Sequence, residues 1–224
     1  NKLNLIKKKF SIEVIYDAAD TFINFDKFTD KSNILITCSF HPTKSIPGNE
    51  SGLIICNKKI HKDFESILNF GFVGEKRLVK YLGFNGKFSE YDAAILSSNF
   101  KDYKKRKKLY KKKINFFISL IKDFKNIRLQ ENFGKNWLGR TILIIPKKKI
   151  NYDLLKRNMK KKRIAIYKPW SLRPIHKEII FKNFKKTNLK NTEFITNNSF
   201  AIPFFLDQSN KELKYISQML KKFI

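Results

Sequence analysis

The amino-acid sequence predicts an α/β chain: a strand-rich first part to about residue 105, then a smaller α+β part. Three observations predict it. A helical segment opens the chain at residues 1–10. Three short apolar runs rich in β-branched residues follow, SIEVIYD (11–17), NILITCSF (33–40) and GLIICN (52–57). Helix and strand patterns then alternate to the end of the chain, and helix after strand is the logic of an α/β fold.

Leu3, Ile6 and Phe10 stand at i, i+3 and i+7 among lysines, which predicts a helix with one apolar face. The three apolar runs show little polar alternation, so they predict a sheet covered on both faces. A crossover helix has a strand on each side of it, and here no strand precedes the helix. The expectation is that residue 1 lies inside a domain and that the sequence is the second half of something larger. IHKDFESILNF (60–70) predicts a short helix, and a glycine-bearing loop follows it to LGFNGKF (82–88). Ser89 with an acid at Asp92 is close to the capping-box pattern. It predicts one long basic helix reaching about residue 122. WLGRTILIIP (137–146) predicts a strand, NYDLLKRNMKK (151–161) a helix and RIAIYKPW (163–170) another strand. SNKELKYISQMLKKF predicts the closing helix, with Leu213, Ile216 and Leu220 on one face.

With 224 residues, 42% of them hydrophobic, the chain can bury a sizeable core in one or two domains. No run approaches the roughly 18 apolar residues of a membrane span, and no signal peptide opens the sequence. The expected setting is cytoplasmic. Cys38 and Cys56 each lie in an apolar run and read as buried free thiols; a disulfide framework or a metal site needs more cysteines in other spacings. The net charge of +29 suggests nucleic acid, but the charge comes from 41 Lys against 7 Arg. Lys, Asn, Ile and Phe are what AT-rich codons favour, whereas phosphate and base readers favour the planar fork of Arg. KKRKK (104–108), KKK (111–113) and KKKR (160–163) read as solvated helix faces, with no specific nucleic-acid partner.

The chemistry starts at VIYDAAD (14–20). Asp17 ends a strand, where open α/β sheets bind ligands, and a carboxylate there can hold a positive ring nitrogen. Taken alone, Asp17 is also an ordinary turn aspartate. Lys44 lies in SFHPTK, between two apolar runs, beside Ser39 and Thr43 and ahead of Gly48 and Gly52. Taken alone, it is one surface lysine among 41. Together they are an acid at one strand end and a lysine at the next. Pyridoxal phosphate needs this pair, a Schiff-base lysine and an acidic partner for its pyridinium nitrogen.

At these residues the sequence resembles the DegT/DnrJ/EryC1/StrS aminotransferases. The family pattern runs roughly E-D-A-A-Q, then S-F-H-x-x-K, then G-x-E-G-G; here it reads YDAAD, SFHPTK and GNESG. GFNGKFSEYDAA (83–94) is similar to a later family pattern, G-x-N-x-(R/K)-x-S-E-x-x-A-A. RPIHK (173–177) and AIPFFLDQSNKELKYI (201–216) are similar to segments near the family's end. The resemblance covers nearly the whole chain from its first helix.

The resemblance implies pyridoxal-phosphate-transferase fold type I. Residues 1–105 would be the second half of the cofactor-binding large domain and 106–224 the C-terminal small domain. It implies an aminotransferase using pyridoxal 5'-phosphate to move an amino group, from glutamate, onto a nucleotide-linked keto-sugar for surface polysaccharide or glycoconjugate. Lys44 would be the Schiff-base lysine, Asp17 the partner of the pyridinium nitrogen and Ser39 a phosphate ligand. Asn85 would reach the phosphate in the partner's site of a homodimer. His41 and His176 would contact substrate. His61 reads as polar surface, and so does Arg173, although its guanidinium could also grip a substrate carboxylate or phosphate. No metal is implied. A dehydrating branch of the family has His in place of the lysine, so Lys44 favours the transaminase branch. Two departures stand out. Asp20 occupies the place of a Gln or His that touches the ring's phenolic oxygen, and a carboxylate repels a phenolate unless one of them is protonated. Glu50-Ser51-Gly52 replaces Glu-Gly-Gly. The family's first half, with its phosphate-cradling helix N-terminus and ring-stacking aromatic, is not in this sequence. The chain is therefore expected to be a fragment of a longer protein, or else the product of a truncated gene, and inactive alone. Two other readings are a degenerate family member and a basic, non-catalytic nucleic-acid-binding protein.

Overall fold

The first two apolar runs pair in parallel, which places their carboxyl ends side by side. In the computed structural model, which describes residues 2–20, 34–134, 138, 141–169, 173–184 and 187–224, β1 (Ile15–Asp17) lies along β2 (Leu35–Ser39) with Asp17 opposite Thr37. The third run forms β3 (Gly52–Ile55), antiparallel to β2, with Gly52 opposite Ser39. The sheet order is β1-β2-β3. The ends of β1 and β2 and the start of β3 therefore share one edge of the sheet. The described residues divide into two compact units, Asn1–Lys104 and Lys105–Ile224.

In the first unit the core is small. Ala18, Ile34 and Ile36 are buried, with Leu3, Val14, Cys38 and Ile55 packed against them. Leu3 comes from α1 (Lys2–Phe10), so one residue of the expected apolar face seats this helix on the sheet. Ile6 and Phe10, expected on that face, are exposed. So are Ile15 and Tyr16 of β1 and Leu53 and Ile54 of β3. Among the described residues the cover of the sheet is thus uneven: central β2 is sheltered, whereas Ile15, Tyr16, Leu53 and Ile54 of the outer strands are in the open.

α2 (Lys58–Leu68) starts at Asn57, whose side chain accepts from the N–H groups of Lys59 and Ile60. It stops where Phe70 and Gly71 take positive φ. Gly71 is required there, since a Cβ would lie 1.9 Å from the Tyr81 carbonyl oxygen. The glycine-bearing loop holds a short hairpin, β4 (Phe72–Val73) with β5 (Leu78–Val79). α3 (Glu90–Lys101) opens at Ser89, which accepts from the Asp92 N–H at 3.2 Å. The single long helix expected from here is two. Asp102 sits at φ −99°, ψ 12°, and α4 (Tyr103–Ile121) restarts beyond it. Asp is a poor interior helix residue because its short side chain competes for backbone groups.

The second unit packs helices on an antiparallel sheet. Its strands are β6 (Ile127–Leu129), β7 (Thr141–Pro146) and β8 (Phe200–Pro203), in that order. Three helices follow in sequence around them, α5 (Tyr152–Lys161), α6 (Lys190–Asn198) and α7 (Asn210–Phe223). Ile114 and Phe117 of α4, Ile142 and Ile144 of β7, Phe200 of β8 and Met159 of α5 are fully buried. The closing helix carries a complete capping box of Ser209 and Glu212 and buries Leu213, Ile216 and Leu220, as its periodicity predicts. RIAIYKPW does not form the expected strand. Among its described residues only Tyr167 bridges, exchanging backbone hydrogen bonds with Ala201 at 3.1 and 2.7 Å. Trp170 of that run, like Trp137, Gly139 and Arg140 of the preceding predicted strand, lies outside the described residues.

Candidate active site

Lys44 sits in the loop from Phe40 to Ser51 that joins β2 to β3. The loop is closed by its own backbone. The Phe40 N–H donates to Ser51 O at 2.8 Å, the Gly48 N–H to Phe40 O at 2.6 Å, and the Lys44 N–H to His41 O at 2.8 Å. α3 supports it from behind. The Asn49 amide donates to Asp92 Oδ1 at 2.8 Å, and the Asn99 amide to Pro47 O at 2.7 Å. Phe40 meets the Phe100 ring edge to face with centroids 5.4 Å apart. Sequence reasoning missed this support. Asp92 gives a signal only as a cap residue, and Asn49 and Asn99 give none.

Because β1 and β2 run in parallel, the segment leaving β1 meets the loop leaving β2. Asp20 Oδ1 lies 3.4 Å from Lys44 Nζ, with the two side chains 35% and 24% exposed. Asp17 is exposed at the end of its strand, and its Oδ1 accepts from the Ala19 N–H at 2.9 Å. The backbone at this corner is pinned by the buried Ala18, whose N–H donates to Thr37 O at 2.8 Å. Ser39 Oγ accepts from the His41 N–H at 3.3 Å, which leaves its own proton available as a donor. Ser45 Oγ, next to the lysine, is buried with no hydrogen-bond partner among the described residues.

Cys38 shares this end of β2. Burial first, then the Asp17 charge, pushes its thiol up to about 11, so it stays protonated and inert near neutral pH. Burial also raises Cys56. Both cysteines are free. Among the described residues no cluster of His, Cys, Asp and Glu could hold a metal ion.

His41 is committed to the loop itself. Its Nδ1 accepts from the Thr43 N–H at 3.1 Å and lies 2.7 Å from Thr43 Oγ1. A backbone N–H can only donate, so the ring proton is on Nε2, 3.1 Å from Glu50 Oε1. Asn85 lies on another loop, where its backbone bridges Asn69 and its side chain is exposed. His176 belongs to the second unit, in the tight turn Ile175–Lys177. Its Nε2 is 3.2 Å from Glu193 Oε1, its Nδ1 is buried without a partner among the described residues, and Lys177 Nζ holds the other Glu193 oxygen at 2.9 Å. Hydrogen bonds from Lys177 and then His176 hold the Glu193 carboxyl below the usual carboxylate range. Arg173 lines a cavity of about 390 Å³ beside this turn, with Leu143, Pro174, Ile175, Ile195 and Thr196.

The fold defines a class first. A putative pyridoxal-phosphate-dependent aminotransferase from Bacillus cereus superposes with a TM-score of 0.85 at 23% identity, over 98% of this chain and 61% of that one. Helicobacter pylori PseC, an aminotransferase of pseudoaminic acid biosynthesis, gives 0.85 at 18% identity, over 98% and 62%. The chain has the α/β fold of these aminotransferases over about 60% of their length. It belongs to the DegT/DnrJ/EryC1/StrS aminotransferase family, whose model matches residues 1–221. A curated relative from Shigella dysenteriae, dTDP-4-amino-4,6-dideoxy-D-glucose transaminase, is 38% identical over 93 residues, 40% of this chain and 25% of that protein. Among the described residues no helix is long and apolar enough to cross a membrane.

Proposed function

We propose that this chain contributes to a pyridoxal-phosphate-dependent aminotransferase that moves an amino group from glutamate to a nucleotide-linked keto-sugar, in the cytoplasm, for surface polysaccharide or glycoconjugate. The observation that carries this reading is the meeting of Lys44 with Asp20, three residues beyond the end of β1. Asp17 and Ser39 end the parallel strands β1 and β2 at the same edge of the sheet.

The donor set fits the cofactor. Lys44 offers the amine that a carbonyl cofactor needs, on a loop held by the backbone and asparagine hydrogen bonds already described. The Asp17 carboxylate is exposed and able to meet a cationic ring nitrogen. Ser39 has a hydroxyl proton for a phosphate oxygen, and Ser45 adds a buried hydroxyl without a partner among the described residues. Bound here, pyridoxal phosphate supplies an electron sink that carries the amino group between donor and acceptor. Lys44 Nζ then moves the proton, Asp17 keeps the ring nitrogen charged, and Ser39 anchors the phosphate. Residues 1–105 form the cofactor-binding portion in this reading and 106–224 the small domain, where His176 and Arg173 meet the substrate. His41 orders the lysine loop and leaves little capacity for substrate.

A homodimer belongs to the same reading, with Asn85 acting in the partner's site. It is supported by the exposed apolar side chains that flank Asn85, among them Leu82, Phe84, Phe88 and Tyr91, a patch typical of an interface. The curated relative's transaminase activity on a dTDP-linked amino sugar supports the substrate class. Lys44→Ala in the whole enzyme is expected to abolish amino transfer; transfer that survives the substitution would overturn the assignment.

A further inference from the structure

Among the described residues Asp20 is the acid that pairs with the proposed nucleophile, and beyond the ring contact its position implies it has no part in the chemistry above. Its Oδ1 stands 3.4 Å from Lys44 Nζ, longer than a relaxed charge-assisted hydrogen bond. Such looseness is common for catalytic contacts before substrate arrives. Both side chains are partly open, at 35% and 24%, so solvent reaches the pair and an incoming carbonyl can reach the nitrogen.

We infer that Asp20 is the acid–base catalyst of carbonyl capture by Lys44. The inference rests on Lys44 being the carbonyl-capturing amine of the proposed function. An ammonium cannot attack an aldehyde, and a carbinolamine hydroxyl leaves poorly. One carboxylate beside the nitrogen serves both needs. The Lys44 ammonium passes a proton to Asp20 Oδ1. The freed lone pair on Nζ bonds to the aldehyde carbon, and the carbonyl π electrons move to oxygen. A second nitrogen proton shifts to that oxygen. Asp20 then returns its proton to the hydroxyl, the carbon–oxygen bond breaks and water leaves. Nitrogen keeps its last proton in an imine that carries the positive charge. Asp20 ends as the carboxylate it began, and nothing is oxidised or reduced.

Two effects of the carboxylate oppose each other, and magnitude decides between them. As a counter-ion Asp20 restrains the amine, but a half-open ion pair changes reactivity by less than about fivefold. As a positioned acid–base group it accelerates by about a hundredfold or more. Removing it therefore slows capture.

The test uses benzaldehyde, a neutral aldehyde with neither phosphate nor ring nitrogen. The purified protein is mixed with it, quenched with borohydride at timed intervals and digested, and each lysine is quantified by mass spectrometry. The exposed Lys59 and Lys62 serve as references. Asp20→Asn is expected to slow the approach to the plateau at Lys44 about a hundredfold, leaving the plateau level and the reference lysines unchanged. Asp20→Glu is expected to recover part of the rate. A rate at Lys44 equal to or above that of the unaltered protein, in either variant, would overturn the inference. So would a lowered plateau reached at the original rate, the mark of a counter-ion alone. A parallel series with pyridoxal phosphate separates the two levels: a Lys44 that ignores that compound sinks the proposed function, whatever the benzaldehyde rates show.

Discussion

The Asn99 side-chain amide donates to the Pro47 carbonyl oxygen at 2.7 Å, joining the last turn of α3 to the lysine loop. The bond satisfies a half-buried carbonyl that has no strand partner, and it fixes the loop just beyond Lys44. Asn99→Ala is expected to cost about 1–2 kcal/mol, because the carbonyl is left unpaired. Urea denaturation measures it. The same variant should lower selective labelling of Lys44 by aldehydes, since the loop loses a support.

Gly48 is held against α3 at closer range. A Cβ there would lie 2.8 Å from Leu96 Cδ1 and 3.2 Å from Leu96 Cβ. Gly48→Ala is therefore expected to destabilise by about 1–3 kcal/mol through overpacking. Adding Leu96→Ala should restore part of the loss. A double variant no more stable than Gly48→Ala alone would show that the clash is not with Leu96.

The Cys38 thiol predicts a pH dependence with a definite sign. Its value rises in the fold from 9.0 to about 11, through burial and then the Asp17 charge. The folded state thus holds this proton more tightly than the unfolded chain. Stability from this group is complete below pH 9 and is lost as pH rises towards 11. Cys38→Ala is expected to flatten that part of a stability–pH curve. Asp17→Asn should bring the thiol down only part of the way, because burial is the larger cause. Alkylation followed by peptide mapping reads both.

Lys168 closes the end of α6. Its ammonium donates to the carbonyl oxygens of Thr196, Asn197 and Ser199 at 2.9, 2.8 and 2.8 Å. These belong to the helix end, where carbonyls lack intrahelical partners. Lys168→Met keeps the stem and removes the donors. It is expected to destabilise by about 2 kcal/mol, measured by thermal or urea unfolding.

Much of the first unit is readable from residue type. ILITC, LIIC and VIYD announce strands because β-branched runs of that length suit little else. The spacing of Asp17, Asp20 and Lys44 marks the place where two strand ends meet. What the sequence hides is long-range or competitive. Asn49 with Asp92 and Asn99 with Pro47 are pairs separated by 43 and 52 residues, and polar side chains of that kind carry no periodicity. Asp102 interrupts a helix whose flanks are both strongly helical, so pattern alone runs through it. RIAIYKPW alternates like a strand, yet among its described residues only Tyr167 bridges β8, and Lys168 turns to cap α6 instead. The expected burial of the first sheet fails at Ile15, Tyr16, Leu53 and Ile54, because strand propensity reports a side chain's suitability for cover and not what covers it.

The central claim is that one lysine among 41 is the cofactor lysine. The direct measurement is to incubate the protein with pyridoxal phosphate, reduce with borohydride and map the adducts by peptide mass spectrometry. A dominant adduct on Lys44 is the predicted result. Adducts spread over the lysines of 104–113 and 160–163, with Lys44 no more labelled than they are, would contradict it.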